Sequence, residues 1–304
     1  MTAPAVPVCY RHPGRETYVS CTRCGRYICP DCMREASVGF QCPECVALGQ
    51  RTQRQARTAF GGSRAGRAGY VTISLIALNV IVLLVGAAMS GAGSLFGGIF
   101  SGASELHYYG SVVGPDIWVV GNNTYIQAIA GAAHYTGVDN GAVYRLLTSM
   151  FIHYGPLHLL MNMWALWVLG RVLEEQLGPW RFAMLYLLSG LGGSVAAALT
   201  QPDNLTAGAS GAVFGLFAAL FITLKRLGRD TSSVVPVIVI NLVLTFAVPG
   251  ISIAGHIGGL LVGTIVGAGL AYAPRDRRTA VQVTVFIGTA LVLAMLTAMR
   301  VLLN

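Results

Sequence analysis

Residues 208–226 read GASGAVFGLFAALFITLKR, a small-residue tetrapeptide opening an apolar run that stops at Lys225 and Arg226. Small residues in an apolar helix ordinarily mean that another helix packs closely. Ser210, inside Gly208-Ala209-Ser210-Gly211, is the one candidate nucleophile in the tetrapeptide. This is not the elbow of a soluble hydrolase, which needs a second glycine where Ala212 stands and a strand before it. By itself the stretch does not separate packing from chemistry. The rest of the chain has to supply partners.

Working outward, the surroundings are those of a membrane protein. Of 304 residues, 54% are hydrophobic and only 11% charged, against about 25% charged in soluble domains. Runs of bilayer length, about 20 residues, recur near 70–90, 157–174, 180–200, 209–224, 234–249, 256–273 and 280–302. The net charge of +8 falls in the N-terminal fifth and in short loops between these runs. That distribution speaks for membrane topology rather than nucleic acid, and no nucleic-acid partner is expected. Arg64 and Arg67, then Arg171 and Arg181, then Lys225, Arg226 and Arg229, then Arg275, Arg277 and Arg278 all lie on one side if the spans alternate. The positive-inside rule makes that side cytoplasmic. A multi-pass cell-membrane protein with a cytoplasmic N-terminus and an extracytoplasmic C-terminus is therefore expected, and residues 1–50, polar and without an apolar h-region, are not expected to be a cleavable signal. Ser210 and His256 then both lie at the outer ends of their spans. From Ser210 to Lys225 the helix covers about 22 Å of about 30 Å of hydrocarbon, so Ser210 should sit below the outer surface, in a wet recess.

Two further spans carry the partners. His256 stands in Ala254-Gly255-His256-Ile257-Gly258-Gly259, followed by glycines at 259, 263 and 267. Gly211 and Gly215 repeat at the same interval, so these two helices are expected to approach closely. A Ser–His hydrogen bond requires that approach, because both side chains are short. A helix-end histidine at the interface is the plain alternative, but an ionisable group within a span is a functional candidate. His158 and Asn162, spaced i and i+4, share one face of the second span at the same depth. Interhelical hydrogen bonding would account for them. Side-chain donors for a tetrahedral oxyanion would as well, and the Asn162 amide donates without changing protonation.

These pieces together resemble the rhomboid family of intramembrane serine proteases. They are His153, His158 and Asn162 on one span, Gly208-Ala209-Ser210-Gly211 on another, His256 with Gly258-Gly259 on a third, and Leu169-Gly170-Arg171 to Glu174. The resemblance covers roughly residues 70–275. It implies an all-α polytopic membrane protein with a six-helix core, here followed by a seventh span. It implies a Ser210–His256 dyad without a third acid, an oxyanion pocket from Asn162, His158 and the Ser210 backbone N–H, and as substrate a transmembrane segment cut near its outer end. In chemical terms His256 takes the Ser210 proton and returns it to the leaving amine. The sequence departs from the family at Tyr144-Arg145, where Trp-Arg is frequent. It departs also at Phe214, where a Tyr often stacks on the histidine, and at Gly255, where Ala is frequent. Two other function classes compete. One is a catalytically inactive rhomboid-like protein that binds membrane clients; retention of Ser210, His256 and Asn162 argues against it. The other is a transporter, which lacks support in the absence of an intramembrane acid pair or repeated halves.

The N-terminal part is different in kind. Cys9, His12, Cys21, Cys24, Cys29, Cys32, Cys42 and Cys45 form four pairs, each with two residues between. Eight such ligands make two closed tetrahedral sites, expected to hold two structural zinc ions and no catalytic metal. Seven cysteines and one histidine fit disulfides poorly, and thiolates fit a reducing compartment. The segment resembles a B-box zinc finger. This implies interleaved sites, Cys9, His12, Cys29 and Cys32 against Cys21, Cys24, Cys42 and Cys45, although the spacing alone also allows sequential filling. The expected domains are thus a double zinc-binding domain over 1–50, a basic flexible linker over 51–68, and a transmembrane domain over 69–304. Expected partners are transmembrane substrates, the lipid bilayer, and a cytosolic protein for the zinc domain. The loop 91–143 and the span 280–302 receive no chemical role from the sequence.

Overall fold

The computed structural model describes residues 6–52, 57–63, 69–91, 103–121 and 123–303. Two compact units divide the chain, Met1–Ala56 and Arg57–Asn304.

In the first unit a short hairpin pairs β1 (Arg34–Glu35) with β2 (Phe40–Gln41), and α1 (Pro43–Thr52) follows. Its buried core is six cysteines and Ile28. So small an apolar core offsets little chain entropy, which is why such units depend on metal.

The second unit is a helical bundle. Seven helices coincide with the seven apolar runs: α2 (Tyr70–Ser90), α5 (Gly155–Leu177), α6 (Pro179–Thr200), α7 (Ser210–Arg226), α8 (Val234–Ala247), α9 (Ile253–Tyr272) and α10 (Arg278–Leu303). Five of them are long and apolar enough to cross a bilayer: α2, α5, α6, α9 and α10. The other two are shorter, 17 residues for α7 and 14 for α8. α7 is short because it is the buried centre and begins inside the bundle, with nearly its whole first four turns sealed by neighbours. Exposed Leu160, Trp164, Leu261 and Leu291 cover the outer faces of the other helices, as apolar surroundings require.

α6, α7 and α9 pack most intimately. The glycine intervals supply the reason. A Cβ on Gly259 would run into the Gly211 carbonyl oxygen, and one on Gly263 into the Gly215 backbone. Backbone therefore lies on backbone, the geometry that small-residue faces permit.

The bundle holds one feature that the all-α expectation lacks. Between α2 and α5 lie α3 (Glu105–Gly110), a three-stranded antiparallel sheet and α4 (Arg145–Thr148). The sheet runs β4-β3-β5, from β3 (Ile117–Val120), β4 (Asn123–Tyr125) and β5 (Ala133–Tyr135), in register through Trp118↔Tyr125 and Ile117↔Tyr135. The fully buried Arg145 ties this region together. Its guanidinium donates to the carbonyls of Tyr108, Ser111 and Thr136 at 2.7, 2.8 and 2.8 Å. Part of the stretch expected to be a flexible linker is packed instead. Phe60 is buried, and its carbonyl accepts from the Gln282 amide on α10 at 3.2 Å. Residues 53–56 and 64–68 of that linker lie outside the described residues.

Candidate active site and metal clusters

The turn before α7 is built around a glycine that any side chain would strain. Gly208 has φ +131°, and a Cβ there would lie 2.8 Å from His158 Cε1. Its N–H donates to the Ser149 carbonyl at 2.9 Å. The next N–H, of Ala209, donates to His153 Nε2 at 3.3 Å. His153 thus holds the turn that delivers Ser210 to the first position of α7. Ser210 is half-buried, and its hydroxyl makes no hydrogen bond among the described residues.

α5 brings two donors to that turn. The Tyr154 N–H donates to His158 Nδ1 at 3.2 Å. A ring nitrogen that accepts is unprotonated, so the neutral ring carries its proton on Nε2. That Nε2 lies 3.0 Å from the place a Gly208 Cβ would take, facing the tetrapeptide. One turn on, Asn162 donates one amide hydrogen to the His158 carbonyl at 2.9 Å. Its second amide hydrogen has no partner among the described residues.

α9 supplies His256. The Ser252 hydroxyl caps this helix by accepting the Gly255 N–H at 3.1 Å, and His256 sits just inside the cap, 8% exposed. Its ring stacks on Phe214 with centroids 4.1 Å apart and planes at 19°. Phe214 follows Ser210 by four residues and shares its face of α7, so the imidazole is drawn to the face on which Ser210 stands. Ser210 and His256 do not hydrogen-bond to each other. Unliganded sites often hold such contacts open until substrate closes them. On its other side His256 Nδ1 meets the Thr245 hydroxyl of α8 at 2.7 Å.

Sequence reasoning passed over Thr245 and the backbone role of His153. The clue to Thr245 was present: Asn241 and Thr245 stand at i and i+4 in an apolar helix, the same pattern that singled out His158 and Asn162.

In the first unit the eight metal-type ligands fall into two groups, Cys9, His12, Cys29 and Cys32, and Cys21, Cys24, Cys42 and Cys45. No disulfide joins them. His12 Nδ1 lies 3.7, 3.2 and 3.5 Å from the sulfurs of Cys9, Cys29 and Cys32, and Cys24 Sγ lies 3.8 Å from Cys42 Sγ. A tetrahedral ion bound by sulfur at about 2.3 Å spaces its ligands about 3.8 Å apart, so both groups fit such an ion. Arg26 reinforces the second, donating to Cys24 Sγ at 3.3 Å and Cys42 Sγ at 3.6 Å, as outer-shell donors to thiolates do.

Comparison with known proteins bears on the family. A family model described as the Rhomboid domain matches residues 140–273. The chain is 39% identical over 153 residues to the rhomboid protease GluP of Bacillus subtilis, covering 49% of this chain and 30% of that one. It is 35% identical over 153 residues to RHOMBOID-like protein 5 of Arabidopsis thaliana, covering 48% and 50%. The chain thus spans half or less of these relatives' length. A second B. subtilis relative, YdcA, is 34% identical over 148 residues, and there the match takes in 74% of the relative. With the family model on the bundle's centre and a relative matched over most of its length, the chain belongs to the rhomboid family of membrane proteins.

Proposed function

We propose that the chain is an intramembrane serine endopeptidase that cuts transmembrane segments of other membrane proteins near their extracytoplasmic end. The observation that carries this reading is the convergence of three helices on one turn. Ser210 opens α7, His256 lies stacked on the same α7 face through Phe214, and α5 turns the His158 Nε2 side toward Gly208. In this reading the His256 Nε2 lone pair takes the Ser210 proton as the oxygen attacks the scissile carbonyl. The developing oxyanion receives hydrogen bonds from His158 Nε2–H, the free Asn162 amide hydrogen and the Ser210 N–H. His256 then protonates the leaving amine, and water releases the acyl group by the same steps in reverse.

Two structural zinc ions are proposed for the two ligand groups, with no part in the chemistry. The first unit is read as cytosolic, a site for a protein partner or for regulation. The +8 charge distribution supports that orientation.

Relatives named rhomboid-like, together with the open Ser210–His256 contact, favour one competing reading, a client-binding protein without catalysis. Reconstitution with a membrane-anchored reporter decides between them. Cleavage by the wild type, lost in Ser210→Ala and in His256→Ala, is expected; client binding without cleavage by folded wild type would establish the competing reading.

A further inference from the structure

We infer that Thr245 on α8 is a positioning residue that fixes the tautomer of His256, an inference that rests on His256 being the base for Ser210. Proton supply decides the tautomer. The Thr245 hydroxyl has one hydrogen and two neighbours, the Asn241 carbonyl oxygen at 2.7 Å and His256 Nδ1 at 2.7 Å. A carbonyl oxygen only accepts, so the hydroxyl hydrogen goes to Asn241, the usual back-bond of a helical threonine. The hydroxyl oxygen is then the acceptor toward His256, and Nδ1 carries the imidazole proton. Nε2 is left with its lone pair, the state a general base requires. The opposite tautomer would set two lone pairs against each other across the Nδ1 contact.

A second observation points the same way. α8 is exposed along most of its length, and Thr245 is its buried residue, 1% exposed. At that exposure the hydroxyl is shielded from bulk solvent. The only well-sealed position of this helix is thus occupied by a group that meets the imidazole. The arrangement does for a two-residue centre what an acid does in a triad, without adding charge to the bilayer. Its worth is that of one neutral hydrogen bond, so loss should lower kcat roughly 3- to 10-fold and leave KM unchanged.

The test is nitrogen NMR of histidine-labelled full-length protein in bilayers, at mildly alkaline pH, with kcat and KM measured on the same samples. The His256 signals are identified by their loss in His256→Gln. Wild type should show a protonated Nδ1 and an unprotonated Nε2. Thr245→Val should move the proton toward Nε2 and lower kcat, and Thr245→Ser should restore both. A wild-type ring protonated at Nε2, or a Thr245→Val ring that keeps Nδ1–H with undiminished kcat, would overturn the inference. The nitrogen pattern uses no substrate, so it is read independently of the dyad. Failure of the dyad shows instead as cleavage surviving in Ser210→Ala.

Discussion

At the scale of single residues, the site is governed by which nitrogen carries a proton. Two backbone and side-chain partners decide this for two histidines. The Tyr154 N–H leaves His158 with a donor aimed at the Gly208 turn. The Thr245 oxygen leaves His256 with a lone pair. Asn162 completes the donor side with an amide hydrogen not used by its bond to the His158 carbonyl. Replacing Asn162 by Ala should therefore lower kcat by about 100- to 1,000-fold with little change in KM, as for other oxyanion donors; steady-state cleavage of a reporter in detergent or bilayers measures it. An equal loss divided between kcat and KM would assign Asn162 to substrate binding instead. Ser210, His256, His158 and Asn162 stand out in the sequence as candidates, because polar groups in apolar helices are conspicuous. The Asn241 and Thr245 spacing was there to be read, but the tie of Thr245 to His256, eleven residues on, exists only after α8 and α9 fold back on one another.

At the scale of elements, the glycine intervals of α7 and α9 read through directly to backbone contact, while the region between α2 and α5 did not. Its sheet rests on strands of three or four residues, too short for a periodicity to register. It is held by side chains instead. Burial would raise the Asp116 carboxyl, but hydrogen bonds from the Gly137 N–H, the Asn140 amide and His134 hold it below the usual carboxylate range. A carboxyl lowered on folding stabilises the fold above its unfolded pKa, about 4, and this contribution is lost as pH falls through the lower folded value. Thermal melts should show the wild type losing stability in that acid range more steeply than Asp116→Asn; parallel acid limbs would contradict the assignment. The seventh span gains a purpose here too. Arg300 near the end of α10 forms a two-pronged, largely buried ion pair with Asp139, at 2.7 and 2.6 Å, and at its other end Gln282 bridges Arg181 and the carbonyls of Phe60 and Leu270. α10 is a strut fastened at both ends. Arg300→Met leaves a buried carboxylate unpaired and should cost about 3–5 kcal/mol in chemical denaturation. Partners 161 positions apart leave no local trace in sequence.

At the scale of the whole molecule, two units of opposite character share one chain. The bundle owes its stability to packed helices. The N-terminal unit has a core made of the candidate ligands themselves, so on the proposed zinc reading metal binding and folding are one event. Adding a strong chelator to the full-length protein should abolish hydrogen-exchange protection over residues 6–52 while leaving the bundle's protection and Ser210-dependent cleavage intact. Loss of cleavage on chelation would instead tie the metal unit to the chemistry. The change from cysteine-rich polar sequence to apolar runs sets a domain over 1–50 and a linker over 51–68, and the two compact units divide after residue 56, inside that linker. That Phe60 would anchor in the bundle was not visible, since one aromatic residue in a basic, glycine-containing stretch gives no pattern.

The central claim is that Ser210 is a nucleophile activated by His256. It is tested most directly by treating the folded protein in membranes with a fluorophosphonate and mapping the modified residue by mass spectrometry. The account predicts a covalent adduct on Ser210, absent from Ser210→Ala and strongly reduced in His256→Ala. Modification at another serine, or cleavage-competent protein that carries no adduct on Ser210, would contradict it.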